Sequence, residues 1–122
     1  MKRIAFIFIL VLVVSCKKES TEPFGKSTSK TPVAFGKELF EGRGNCVACH
    51  LINQKVIGPS IQDIAKTYQA QNASIVSFLK EEAKPIVDPS QYEVMKTNFA
   101  ITKMMSDQEL QAIEAYMYSN LK

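Results

Sequence analysis

The chain has 122 residues, 46% of them apolar, 22% charged, and three cysteines, which allows one small domain and excludes a large multidomain enzyme. The formal charge of +3 does not mark a nucleic-acid binder. Lys2, Arg3, Lys17, Lys18, Lys26 and Lys30 precede residue 32; beyond them nine basic residues face ten acidic ones, a net charge of −1, without the basic excess that phosphate binding requires.

Residues 4 to 14, IAFIFILVLVV, are eleven uninterrupted apolar positions behind Lys2 and Arg3. A bilayer span needs roughly 20, so the run reads as a secretory signal rather than a fold element. It ends in Val13-Val14-Ser15-Cys16, which resembles the lipobox of bacterial lipoproteins. That resemblance implies a signal peptide over 1–15, a mature start at Cys16, and acylation there that holds the protein on a bacterial membrane. An ordinary signal peptide with an incidental cysteine is the alternative. Acylation would also account for the odd cysteine. Residues 17 to 31 are nearly all polar and without period, so 16–31 is expected to be a flexible tether. The domain is then 32–122, a size at which a core is marginal unless a disulfide, metal or cofactor braces it.

Within 32–122 the hydrophobic pattern is helical and never strand-like, and the expected fold class is all-α. Thr31 as cap, Pro32 as first helical residue, and Val33, Phe35, Leu39 and Phe40 predict a helix over 32–41, broken by Gly42 and Gly44. Ser60 with Asp63 reads as a capping box ahead of Ile61, Ile64, Ala65 and Tyr68. Asn72 precedes a third apolar stripe, Ile75, Val76, Phe78 and Leu79, stopped by Lys84-Pro85. A long irregular segment is expected from about 85 to 105. Ser106 with Glu109 forms a second capping box, and Leu110, Ile113, Tyr116, Met117 and Leu121 mark a terminal helix over about 107–120.

The brace is Cys46-Val47-Ala48-Cys49-His50. Two thiols on one turn can reach the two vinyl groups at one edge of a haem, while the next residue offers an imidazole to the iron; C-x-x-C-H reads as c-type haem attachment for that reason. A thioredoxin-like dithiol would need a βαβ setting, which the helical pattern lacks. A zinc site would need a fourth ligand, yet His50 is the only histidine. Export agrees with the motif, because c-type haem is attached outside the cytoplasm.

With these residues in place, the chain resembles the small monohaem class I cytochromes c of bacteria over nearly all of 32–122. The resemblance implies about four helices wrapped around one haem c, bound covalently through Cys46 and Cys49, with the N- and C-terminal helices crossing at Gly36 near Tyr116. It implies that the Pro59 carbonyl, in Gly58-Pro59, accepts the Nδ1–H of the proximal ligand His50 and fixes its tautomer; a simple turn ahead of the Ser60 cap is the other reading of that pair. It implies that Met95 is the distal ligand, with Asn98 hydrogen-bonding near its sulfur. Met104 and Met105 remain alternatives, because the prolines that commonly flank the family's ligand are missing and the following stretch looks about five residues longer. Met117 reads as core filler and Met105 as a staple against Leu110. Lys96, beside Met95, could replace it at high pH.

A haem iron holding both histidine and methionine has no vacant position for a substrate, and the thioether favours Fe(II). The expected function is therefore an electron carrier between membrane-associated respiratory partners, docking transiently, on the periplasmic side of a membrane. No enzymatic activity, small-molecule substrate or nucleic-acid partner is expected, since no general base, nucleophile elbow or phosphate loop is present. Two other classes stay open: a haem subunit fixed in a respiratory complex, and a five-coordinate haem that binds small ligands.

Overall fold

The computed structural model describes residues 30–122, so the predicted signal segment, Cys16 and all of the tether up to residue 29 lie outside the described residues. Among the described residues the chain is all helix and loop, apart from one isolated bridge between His50 and Lys55. None of these helices is long and apolar enough to cross a membrane.

Helix α1 spans Pro32–Glu41 and starts as its sequence demands: the Thr31 hydroxyl accepts the Ala34 N–H at 3.2 Å, and Pro32 takes the first helical position. The last helix, α6, spans Asp107–Ser119 behind a complete capping box, in which Ser106 Oγ accepts from Glu109 N and Glu109 Oε2 accepts from Ser106 N. These two helices cross at Gly36. A Cβ there would lie 1.8 Å from the Ala112 carbonyl oxygen, so only glycine allows this approach. Beside the crossing, Phe40 meets Tyr116 edge to face, with ring centroids 5.3 Å apart. Leu39, Leu110, Ile113 and Met117 fill the rest of the contact.

Helix α2, Ile61–Ala70, is capped by Ser60, but only half of the expected box forms. Ser60 Oγ accepts from Asp63 N at 3.0 Å, and the Asp63 carboxylate takes the Ser60 hydroxyl at 2.7 Å; no bond from the Ser60 N–H to that carboxylate is formed, an aspartate being one carbon shorter than the glutamate of a full box. The helix buries Ile61, Ile64, Ala65 and Tyr68.

Helix α3 is shorter than its stripe suggests. It spans Ile75–Leu79, is capped by Ser74 rather than preceded directly by Asn72, and stops before Lys84-Pro85. Asn72 at φ 47° turns the chain out of α2, and Glu81 at φ 62° turns it out of α3. The Ile75 N–H donates to Glu114 Oε1 at 3.0 Å, so a side chain of α6 closes the start of α3.

The segment expected to be irregular contains a 3-10 turn at Pro89–Gln91 and two short helices, α4 (Tyr92–Lys96) and α5 (Phe99–Thr102). Neither exceeds five residues, too few for a helical period to show in sequence. Their hold on the fold is tertiary: Phe99 is buried, and the buried Thr102 hydroxyl donates to the Leu79 carbonyl at 2.6 Å.

Candidate functional site

Between α1 and α2 the backbone makes a tight descent into the core. Asn45 adopts φ 50°, a left-handed conformation that asparagine tolerates. The buried Gly44 has no space for a side chain, since a Cβ would lie 2.8 Å from the Leu39 carbonyl oxygen. A single 3-10 turn, Cys46–Ala48, follows; the Cys46 carbonyl accepts both Cys49 N (3.1 Å) and His50 N (3.0 Å). That turn sets Cys46, Cys49 and His50 together on the wall of one cavity. Both thiols are free. Burial pushes the Cys46 thiol up to about 11, with the neighbouring Cys49 adding to the shift. A reactive dithiol needs the opposite, a thiolate stabilised near neutral pH.

The His50 imidazole is held on two sides. Its Nδ1–H donates to the Pro59 carbonyl at 2.7 Å, which leaves Nε2 with the free lone pair. Gly58 lies flush against the ring: a Cβ would sit 2.4 Å from Cε1 and 2.8 Å from Nδ1. Burial lowers the imidazole below its ordinary range, opposed by the Pro59 bond, so the ring is neutral and ligand-ready at pH 7. The loop is pinned by backbone bonds from Gly58 N to Cys49 O (2.9 Å), Ile61 N to Leu51 O (2.8 Å) and Gln62 N to Ile52 O (3.0 Å).

Met95, on α4, is half-buried and faces the same cavity. Asn98 lines it too, and its amide donates to the Gly44 carbonyl at 3.2 Å. The helical turn from 95 to 98 returns the Asn98 N–H to the Met95 carbonyl, 2.9 Å away, and points the side chain at the turn ahead of Cys46. The other methionines separate cleanly. Met104 is 81% exposed, Met105 is buried in the core, and neither lines the cavity; Met117 is buried on α6 and contributes to the wall. Lys96 is held outside by Glu93 (3.6 Å) and by the Tyr92 ring, 5.7 Å to the centroid.

Several wall residues were not legible as part of the site, although Tyr68 and Phe78 were legible as apolar helix positions. Phe78 joins Tyr68, Tyr92 and Phe99 in an aromatic group with centroid separations of 5.4 to 6.4 Å. Pro85, Ile86 and Val87 complete the wall; an apolar pair between prolines was the only hint. Asp88 accepts from Lys55 at 2.7 Å across 33 positions and ties this segment to the His50 loop.

The cavity has a volume of about 200 Å³ and is open to solvent at its mouth. Its donor set is two thiols one turn apart, one oriented imidazole and a thioether, and Gly58 gives the imidazole the space it occupies. These residues fit a covalently attached haem. Among the described residues no cluster of three or more His, Cys, Asp or Glu forms a separate metal site.

Comparison with known proteins agrees. Residues 33–120 match the cytochrome c family profile. Over 52 residues the chain is 40% identical to cytochrome c-551 of Pseudomonas denitrificans, a match covering 40% of this chain and 62% of that relative. The chain belongs to the cytochrome c family, in its small all-helical class I monohaem form, with haem c as its cofactor and Cys46 and Cys49 as the attaching pair.

Proposed function

We propose that this protein is a single-electron carrier in which His50 and Met95 would ligate the haem iron. When bound, that group supplies a one-electron couple whose reduced state a thioether ligand favours. The chain's part is to hold and orient. Pro59 and Gly58 fix the tautomer and plane of His50, α4 carries Met95 to the cavity wall, and the apolar lining excludes water from both. The observation that carries the reading is this convergence of Cys46, Cys49, His50 and Met95 on one cavity whose lining has no second histidine and no nucleophile–base pair.

Export with anchoring at Cys16 belongs to the same proposal, supported by the apolar run before it and the lipobox-like Val13–Cys16. Transient exchange with membrane-associated respiratory proteins then follows, since an anchor raises local concentration without a large interface.

Absorption spectra of the oxidised and reduced protein test the ligand set. The wild type is expected to show the far-red ferric band of a methionine-ligated haem and no CO binding when reduced. Met95→Ala should lose the band, admit CO and lower the potential, whereas Met117→Leu should keep the band. Loss of the band in Met117→Leu with retention in Met95→Ala would move the ligand to α6.

A further inference from the structure

The segment that carries Met95 has little buried surface to hold it. From Lys80 to Asn98 no residue is fully buried. Ile86, Val87 and Met95 pack partly against the core, and the Tyr92 ring lies beside Phe78 and Phe99, with centroids 6.4 and 6.1 Å away. Those ring contacts reach α3 and α5, not the chain around the cysteines. Toward that chain, residues 44–60, the described residues make two hydrogen bonds: Asn98 to the Gly44 carbonyl at 3.2 Å, and Lys55 to Asp88 at 2.7 Å. The two bonds bracket residues 89–97, with Met95 between them.

Both ends of the Lys55–Asp88 tie are stiff. Lys55 forms the isolated antiparallel bridge with His50, and the bond from Gly58 N to Cys49 O at 2.9 Å closes the same turn. Asp88 uses its whole carboxylate: Oδ2 accepts from Lys55 and Oδ1 from the Ser90 hydroxyl at 2.5 Å, while its carbonyl accepts from Gln91 N at 3.1 Å. It thus opens the 3-10 turn Pro89–Gln91, which runs directly into α4 and Met95, and Pro89 fixes the backbone at the join. The Asp88 side chain lines the cavity and is 17% exposed, against 58% for Lys55. A carboxylate in a largely apolar wall is stable there only while its charge is compensated. Without Lys55 it would gain by turning out to water, and the turn, α4 and Met95 would go with it.

On this geometry, and resting on the ligand assignment proposed above, we infer that Lys55 and Asp88 are positioning residues for Met95: their ion pair straps the Met95 segment to the loop of His50 and sets how often Met95 leaves its place. The neighbouring ion pairs cannot do this. Glu93–Lys96 is internal to the Met95 segment, and Glu81–Lys103 joins the end of α3 to the end of α5, so neither reaches the loop of His50. The two halves of the strap are also unequal. Removing Lys55 leaves a charged carboxylate in the wall, whereas Asp88→Asn removes the charge and keeps an oxygen that can still accept from Lys55.

Stopped-flow mixing of full-length ferric holoprotein with excess imidazole tests the strap, because imidazole can enter only when Met95 moves out and the rate at saturating imidazole is the rate of that movement. Lys55→Met should raise the saturating rate by about tenfold, as expected when a half-buried acceptor loses its partner. Asp88→Asn should raise it by only about threefold, within the range of a partly exposed ion pair. The double variant should fall back to the Asp88→Asn rate, since no stranded carboxylate remains. Lowering the screening length from about 30 Å to about 3 Å should accelerate the wild type more than the double variant. Lys103→Met, which breaks an ion pair of similar length (2.8 Å) away from the loop of His50, should leave the rate unchanged. Rates within twofold of wild type in Lys55→Met and Asp88→Asn overturn the inference. A double variant faster than Lys55→Met also overturns it, being the mark of two independent packing losses, and so does equal acceleration in Lys103→Met. Identical imidazole kinetics in Met95→Ala and wild type would remove the ligand assignment itself, in a comparison that involves neither Lys55 nor Asp88.

Discussion

Gly58→Ala isolates the way the chain holds its proximal imidazole. No glycine among the described residues has positive φ, so alanine at 58 brings no backbone strain, and the effect is steric. Its Cβ would lie 2.4 Å from His50 Cε1, whereas ordinary contact begins at 3.4 Å, so the ring must retreat by about 1 Å. A retreat of that size takes Nδ1 from 2.7 Å to beyond hydrogen-bond reach of the Pro59 carbonyl. Losing that bond costs about 0.5–1.5 kcal/mol, and forcing a methyl group into packed space about 1–3 kcal/mol. Even the lower sum, about 1.5 kcal/mol, lowers Tm by about 6 °C in a domain of this size.

Thermal unfolding of the holoprotein by far-ultraviolet circular dichroism measures the loss, and absorption spectra report whether His50 still acts on the haem. Pro59→Ala is the matched control, because it keeps the backbone carbonyl that accepts from His50. It should cost only about 0.4–1 kcal/mol, through the freer unfolded chain. A Gly58→Ala protein with wild-type Tm and spectrum would refute the reasoning: the ring would then have room that the structure denies it.

The exposures of the paired methionines predict opposite responses in the same assay. Met104→Ala should change stability by less than about 0.5 kcal/mol, and Met105→Ala should cost about 2–5 kcal/mol, since Met104 is 81% exposed and Met105 only 7%. Acid stability should follow two carboxylates. Asp88 is held below its ordinary value of 3.8, first by its bond from Lys55; Glu109 is held below 4.5, first by the Ser106 N–H and then by Arg43. A depressed folded pKa gives stability that is present above the unfolded value and is lost as pH falls through the folded one. Urea midpoints should therefore drop below about pH 4, and Asp88→Asn with Glu109→Gln should flatten that drop while lowering the neutral-pH midpoint.

What the sequence made legible follows the range of the interactions. Thr31-Pro32, Ser60 and Ser106-Glu109 are local signals, and each sits at the start of the helix it predicts. The crossing at Gly36 and its neighbour Tyr116 came from a family pattern, and the 1.8 Å approach to Ala112 supplies the physical reason for the glycine. Helices α4 and α5 were not legible, since four or five residues hold no period and their order comes from Phe99 and Thr102 packing on α3. The Lys55–Asp88 pair spans 33 positions and leaves no trace in either local sequence. Asn98 adds a contact that no local pattern carries. Its amide donates to the Gly44 carbonyl, an acceptor in place only once the turn before Cys46 has formed.

The cavity is also the core. Of the fourteen residues in the main hydrophobic cluster, eight line the cavity, among them Cys46, Ile64, Leu79 and Ile113. Without the haem, more than half of the core would face an open space that its side chains cannot close without collapse. The α1–α6 crossing differs, because Gly36, Leu39, Leu110 and Ala112 meet away from the cavity. A Cys46→Ala/Cys49→Ala chain prepared without haem should therefore lose near-ultraviolet circular dichroism while retaining part of its helical signal. Amide protection should survive in α1 and α6 and vanish in α3, α4 and α5. Uniform native-like protection in that chain would mean that the core closes without its cofactor. Uniform loss would mean that the crossing, tight as it is, does not hold alone.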